Sequence, residues 1–287
     1  MKLGVVGVGV VGGAVASGFK ELGHDVYLHD IKYENTSIED MLTTEVCFIC
    51  VPTPPLEDGK CDTTIVSTVM TELQELKYEG IVAIKSTVSP GTTEKMQNKF
   101  ASLEVCFVPE FLRERCAISD FTDKHDVCII GTDKAEVYET IKESHGNYPN
   151  KFIKLTPTEA EITKYFNNVY NATLIIFANS FYEVCESLGV SYKNVKNAIT
   201  QRDHIGKNYL ECNNNLRGFG GVCLPKDTAA MAKLSTELGL NIEFFEMLLK
   251  ENKKYKTTIN ENSWNLVRAR LLFLYYGEWT SGGSRRI

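Results

Sequence analysis

The first thirty residues constrain the fold more than any other stretch. Met1-Lys2-Leu3-Gly4-Val5-Val6 reads as a buried strand running into Gly7-Val8-Gly9-Val10-Val11-Gly12, a G-x-G-x-x-G motif. An apolar helix over Val11 to Leu22 follows, and a second strand, Asp25 to His29, delivers Asp30. In this order the glycines let backbone N–H groups approach a pyrophosphate at a helix N-terminus, while the acid accepts from a ribose hydroxyl. Gly7, Gly9, Val10, Val11 and Gly12 are therefore the expected phosphate cradle. Asp30 accepts from a free 2′-OH and repels a 2′-phosphate, so the expected cofactor is NAD rather than NADP, with Lys32 a nearby cation.

The alternation continues down the chain. Apolar runs at Val46 to Val51, Ile81 to Ile84, Val105 to Val108, Val127 to Ile130 and Phe152 to Leu155 are separated by helical segments near Thr64 to Leu76, Thr93 to Phe100 and Lys134 to Ser144. This predicts an α/β fold with a doubly wound, mostly parallel sheet. The pattern then turns helical. Thr156-Pro157-Thr158-Glu159 reads as a capping box with Pro at the first helical position, opening a periodic stretch that reaches about Leu188 and ends at Gly189. Such a helix runs on the order of 45 Å. Its Tyr165, Phe166, Tyr170, Leu174, Ile175, Phe177 and Phe181 carry more apolar surface than one small domain covers, so a two-fold homodimer is expected. Helices near Tyr192 to Thr200, Pro225 to Leu238 and Ile242 to Lys256 complete a smaller all-helical domain. The expected division is 1–155 for nucleotide binding, 156–258 for the helical domain, and 259–287 for an apolar helix (Trp264 to Tyr276) and a tail (Thr280 to Ile287).

Composition excludes several function classes. With 287 residues and 43% hydrophobic content the chain can bury one or two cores, and no apolar run approaches a membrane span. No signal peptide is read at the start, where Lys2 leads directly into a strand. Nine cysteines, an odd number scattered through strands and helices, point to a reducing cytosol without a disulfide framework. Cys47 and Cys50 form a C-x-x-C, but on a strand they face opposite sides, so they read as core rather than as a redox or metal turn. A net charge of −6 without a basic stripe argues against nucleic acid as a partner.

A second motif carries reaction chemistry. Gly218-Phe219-Gly220-Gly221-Val222-Cys223-Leu224-Pro225-Lys226-Asp227 places one thiol after a glycine loop and beside a helix start. Pro225 suits the first helical position and Asp227 complements the positive helix end, whose partial charge favours a thiolate at Cys223. A simple alcohol dehydrogenase has no use for such a thiol. An aldehyde that is oxidised further does, because attack on the carbonyl creates a thiohemiacetal that can lose a second hydride to leave a thioester for hydrolysis.

Six ordered motifs are similar to those of the UDP-glucose/GDP-mannose dehydrogenase family: Gly7 to Gly12, Val51 to Pro54, Ser86 to Glu94, Pro109 to Glu114, Ala160 to Asn168 and the Cys223 loop. The resemblance implies a Rossmann-like domain followed by a helical domain with a long central helix at the dimer interface. It also implies oxidation of a nucleotide-sugar 6-alcohol to the uronate with two NAD, UDP-glucose being the first expected substrate. By resemblance Cys223 is the nucleophile, Lys164 stabilises the C6 oxyanion, Asn168 bonds the same oxygen or a water, Asp227 positions or deprotonates water, and Glu110 is an acid/base or water-orienting carboxylate. Lys164 and Asn168, four apart on a helix, share a face. Thr53, Thr87, Glu114 and Lys226 match cofactor-contacting positions, with Thr87 also placed at the reacting centre. Phe111, Leu112, Arg113, Tyr209, Leu210, Phe219 and Gly220 match segments that line the sugar nucleotide.

Three departures accompany the resemblance. Only fourteen residues separate Asp30 from Glu45, where the family has a longer excursion. The family's third, C-terminal nucleotide-holding domain has no counterpart in this sequence, which leaves a separate polypeptide as a possible supplier. His204 occupies the position of an Arg that reaches across the dimer, and it lacks that residue's bidentate fork. Two rival readings stand beside the main one: a two-electron β-hydroxyacid-type dehydrogenase, and an NAD-binding subunit without turnover.

Overall fold

The computed structural model describes residues 1–255, so the helix expected at Trp264 to Tyr276 and the tail at Thr280 to Ile287 lie outside the described residues. In chain order the elements are β1 (Lys2–Val6), α1 (Val10–Glu21), β2 (Asp25–His29), β3 (Val46–Ile49), α2 (Thr64–Glu75), β4 (Ile81–Ile84), α3 (Thr92–Lys99), β5 (Glu104–Phe107), α4 (Ala117–Thr122), β6 (Cys128–Gly131), α5 (Ala135–His145), β7 (Phe152–Leu155), α6 (Pro157–Ser187), α7 (Tyr192–Ile199), α8 (Cys223–Glu237) and α9 (Phe244–Asn252). Short 3-10 turns at Ile38–Thr43 and Glu114–Cys116, together with α4, are absent from the sequence reading. Each is six residues or fewer, too short to show a helical period.

By contacts, the described residues fall into two compact units. The first holds Met1–Thr53 and Asp62–Lys164; the second holds Pro54–Cys61 and the described residues from Tyr165 onward. The first unit is a seven-stranded sheet in the order β2-β1-β3-β4-β5-β6-β7. Its neighbours are parallel except β5 and β6, which meet antiparallel through Phe107 and Gly131. Apolar residues on alternate strand positions feed two cores, as a sheet covered on both faces requires. On one face Cys47, Ile49, Ile84 and Phe107 pack against Val66, Met70 and Leu73 of α2. On the other Leu3, Val5, Phe48 and Cys106 pack against Phe19 of α1, Phe121 of α4 and Ile141 of α5. Cys47 and Cys50 join opposite cores, as their spacing on a strand requires, and burial pushes the Cys50 thiol up to about 12.

α6 begins with the expected capping box. The Thr156 N–H and hydroxyl both donate to Glu159 Oε2, and the Glu159 N–H donates back to Thr156 Oγ1. It ends in a Schellman turn at Gly189 (φ 66°), where the Val190 N–H donates to Cys185 O and the Gly189 N–H to Glu186 O. Gly131 lets the first turn of α6 approach the sheet, since a Cβ there would lie 2.7 Å from the Ala160 Cβ.

The second unit is helical, and among the described residues it has three small clusters in place of a sheet core. Along α6, Phe166, Tyr170, Phe177, Phe181 and Val184 are exposed, and the Phe177 and Phe181 ring centres lie 4.7 Å apart with the rings tilted by 41°. Tyr165 departs from the sequence expectation: it is buried, in a cluster with Cys61 and Ala230, and its hydroxyl lies 3.2 Å from Cys61 Sγ. α8 starts at Cys223, two residues before Pro225. Pro is tolerated at the third helical position because its missing N–H is one of the four that find no partner inside a helix. No described helix is long and apolar enough to cross a membrane.

Candidate active site

Within the first unit, the site residues line the C-terminal ends of the parallel strands. Gly7 adopts a left-handed φ of 91°, and a Cβ on Gly12 would stand 2.0 Å from the Gly7 carbonyl oxygen, so both glycines are required by the turn itself. Gly9 is different. A Cβ there would meet nothing within 4 Å, and no side chain caps the start of α1 at Val10 and Val11. An open backbone approach above uncapped first-turn N–H groups fits the pyrophosphate of a dinucleotide. Asp30 lies at the end of β2, where Oδ2 accepts from the Val8 N–H (2.8 Å) and Oδ1 from the Lys32 N–H (3.0 Å). The carboxylate thereby ties the glycine loop to the end of β2.

Beside this cradle, Thr53 Oγ1 donates to Thr87 O (2.7 Å), and Ser86 Oγ donates to Val51 O (2.6 Å). These bonds join the ends of β3 and β4. Glu110 follows β5 and is buried with its backbone carbonyl accepting from Lys164 Nζ of α6. Lys164 also lies 5.4 Å from the centre of the Phe111 ring. The Glu110 carboxylate pairs with Lys85, whose side chain is fully buried. Arg113 is committed nearby, holding Asp120 through both Nε (2.9 Å) and Nη2 (2.6 Å), and that bond keeps the Asp120 carboxyl below the usual range. Leu112 packs partly into the core that holds Phe121. Glu114 opens the following 3-10 turn, and partial burial raises its pKa. Glu161, inside the Ala160 to Asn168 motif, caps α3 by accepting from the N–H groups of Gly91 and Thr93.

The second unit holds the thiol. Of the nine cysteines, Cys223 is the exposed one. It opens α8 after a loop in which Gly218 (φ 58°) and Gly221 (φ 73°) take left-handed backbone angles. One turn on, Asp227 is fully buried between two partners: Asn168 Nδ2 donates to its Oδ2 (2.5 Å), and Lys226 Nζ lies 2.7 Å from its Oδ1. Lys226 also donates to Cys61 Sγ (3.3 Å), which in turn lies 3.2 Å from the Tyr165 hydroxyl. Burial opposes the Lys226 charge, but the neighbouring Asp227 and Cys61 outweigh it and raise its pKa. Lys226, expected at the cofactor, is thus held by its own helix neighbour. Phe219 is also buried, its ring in the core, and its N–H and carbonyl are both bonded by the Asn252 side chain (2.7 Å each). Gly220, next to it, is half-buried. Tyr209 adopts φ 63°, uncommon for a residue with a Cβ, and Leu210 is buried in a cluster with Tyr182 and Tyr192. His204 is exposed, as is Arg202.

The sequence reading missed Lys85, Cys61 and Asn252. Lys85 alone left a signal: a lysine directly after the apolar run Ile81 to Ile84 is a charge at the end of a buried strand. No group of three or more metal-ligating side chains occurs among the described residues.

The NAD-binding domain of the UDP-glucose/GDP-mannose dehydrogenase family matches residues 33–148, and the family's central domain matches residues 158–254. The chain is 31% identical over 283 residues to UDP-glucose 6-dehydrogenase AglM of Haloferax volcanii, covering 80% of this chain and 64% of that protein. It is 28% identical over 299 residues to UDP-glucose 6-dehydrogenase TuaD of Bacillus subtilis, covering 90% of this chain. The chain thus spans 64% of the length of both curated relatives. A UDP-glucose dehydrogenase from Pyrobaculum islandicum superposes with a TM-score of 0.80 at 30% identity, covering 88% of this chain and 68% of that one.

Proposed function

The chain belongs to the UDP-glucose/GDP-mannose dehydrogenase family, and we propose that it oxidises the 6-alcohol of a nucleotide sugar, UDP-glucose first, to the uronate. The observation that carries this reading is Cys223: an exposed thiol on the first turn of α8, behind a glycine loop, one turn from a buried carboxylate. The other eight cysteines are wholly or partly buried. Gly7, Gly9, Val10, Val11, Gly12 and Asp30 would hold NAD, which would supply the hydride acceptor.

The chain's own residues do the rest. Lys164 supplies positive charge for the oxyanion that develops at C6, where a fixed cation in a dry setting lowers the barrier most. Asn168, oriented by Asp227, donates to the same oxygen or to a water. Cys223 Sγ bonds the aldehyde carbon and carries the acyl group until water releases it. Glu110 and Asp227 orient that water. The exposed aromatic stripe on α6 supports a two-fold dimer, checked by sedimentation at micromolar concentration.

The test is NADH release against a panel of sugar nucleotides. Two NADH per uronate are expected, and Cys223→Ser lowers uronate formation on the order of 10³-fold with NAD affinity nearly unchanged. One NADH per product would favour a two-electron hydroxyacid-type reaction. Wild-type uronate production by Cys223→Ser would sink the covalent route.

A further inference from the structure

Lys85 and Glu110 leave the ends of adjacent parallel strands, one residue past β4 and three past β5, where Ile84 and Phe107 stand in register. Ligands of open α/β sheets bind at this edge. The Lys85 side chain is fully buried and that of Glu110 is 6% exposed. The ammonium lies 5.6 Å from the Phe48 ring centre and 5.9 Å from that of Phe121, so Glu110 is the one carboxylate it pairs with among the described residues. A buried lysine without a second partner is costly unless its single pair is well made. The same carboxylate sits in a residue whose backbone carbonyl is bonded by Lys164. Glu110 is therefore gripped at both its side chain and its main chain by lysines from two different elements.

We propose that Lys85 is the positioning residue for Glu110, fixing the direction in which the carboxylate meets the water that releases the acyl group. This rests on the reading of Glu110 as the water-orienting carboxylate. In that step the water oxygen bonds the acyl carbon and the carbon–sulfur bond breaks, sulfur leaving with the electron pair. One water proton ends on Sγ and the other passes by way of Glu110 to solvent. Lys85 touches none of the reacting atoms. It acts by denying Glu110 its other rotamers, since a displacement of about 1 Å at such a group costs on the order of 10²-fold in rate.

The test compares Lys85→Met, Glu110→Gln and the double variant, with NAD and UDP-glucose as the reactants. Lys85→Met is expected to lower kcat on the order of 10²-fold with KM for the sugar nucleotide unchanged, and its crystal structure to show Glu110 in a different rotamer. The double variant, which leaves no unpaired buried charge and so folds even if Lys85→Met does not, is expected to turn over no more slowly than Glu110→Gln. Wild-type kcat in Lys85→Met, an unchanged Glu110 rotamer, or a double variant tenfold slower than Glu110→Gln overturns the proposal for Lys85 alone. Wild-type kcat in Glu110→Gln overturns the reading of Glu110 and this proposal with it.

Discussion

The two units hold their candidate site residues by different means. In the first, the sheet does the holding: Gly7 and Gly12 are set by the turn itself, and Thr53 and Asp30 bond through their side chains to main-chain groups at strand ends, above two cores of buried side chains. In the second, side chains hold one another. Tyr165, Cys61, Lys226, Asp227 and Asn168 form an unbroken buried polar chain, and the apolar clusters around it are small. Part-buried side chains bonded to main-chain groups can be replaced by water when lost, whereas a link in a buried polar chain cannot, because each broken link leaves a desolvated group unpaired.

Asp227→Ala is the strongest test of this contrast. It leaves the buried Lys226 ammonium with Cys61 Sγ alone and the buried Asn168 amide without its Asp227 acceptor, and is expected to lower unfolding free energy by about 3–5 kcal/mol in denaturant titration. A loss of less than about 1 kcal/mol would show that the chain of polar contacts does not support the second unit.

The first unit has its own buried liability, in histidines rather than at the site. His145 is fully buried, its Nδ1 donating to Ile141 O, and burial holds its pKa well below 6.5, with the nearby Lys85 charge acting in the same direction. His125 is lowered too, burial again being the largest cause. A depressed histidine pKa means that the unfolded chain takes up protons which the folded one refuses. The stability involved is fully present above about 6.5 and is lost as pH falls below it. Each histidine contributes up to about 1.4 kcal/mol per pH unit in that window. His145→Asn, which keeps the donor to Ile141, should flatten the pH dependence of the melting midpoint. An unchanged slope would mean that His145 is not responsible.

The smallest effect is expected at a part-buried side chain whose partners are main-chain N–H groups that water can reach. Asp30→Ala should cost under about 1 kcal/mol of stability while moving cofactor preference toward NADP by roughly tenfold, as repulsion of a 2′-phosphate disappears. Unfolding by several kcal/mol, with preference unchanged, would place Asp30 among the residues that hold the fold together instead.

Much of this molecule is legible in the sequence, and the legible parts share a cause. The G-x-G-x-x-G turn, the strands Asp25–His29, Ile81–Ile84 and Phe152–Leu155, the capping box at Thr156 and the Gly189 stop are local: each depends on neighbours within a few residues, through backbone sterics, side-chain period or a capping bond. The thiol at Cys223 was legible for the same reason, as a glycine loop followed by a helix start. Tertiary structure alone decided the rest. It buried Tyr165 against Cys61 and Ala230, turned Lys226 toward Asp227 and Cys61, committed Arg113 to Asp120, and brought Lys85 to Glu110 across 25 residues of chain. Those contacts join side chains on different elements, and which pairs meet is set by strand order and helix packing, quantities that no local pattern of residues encodes.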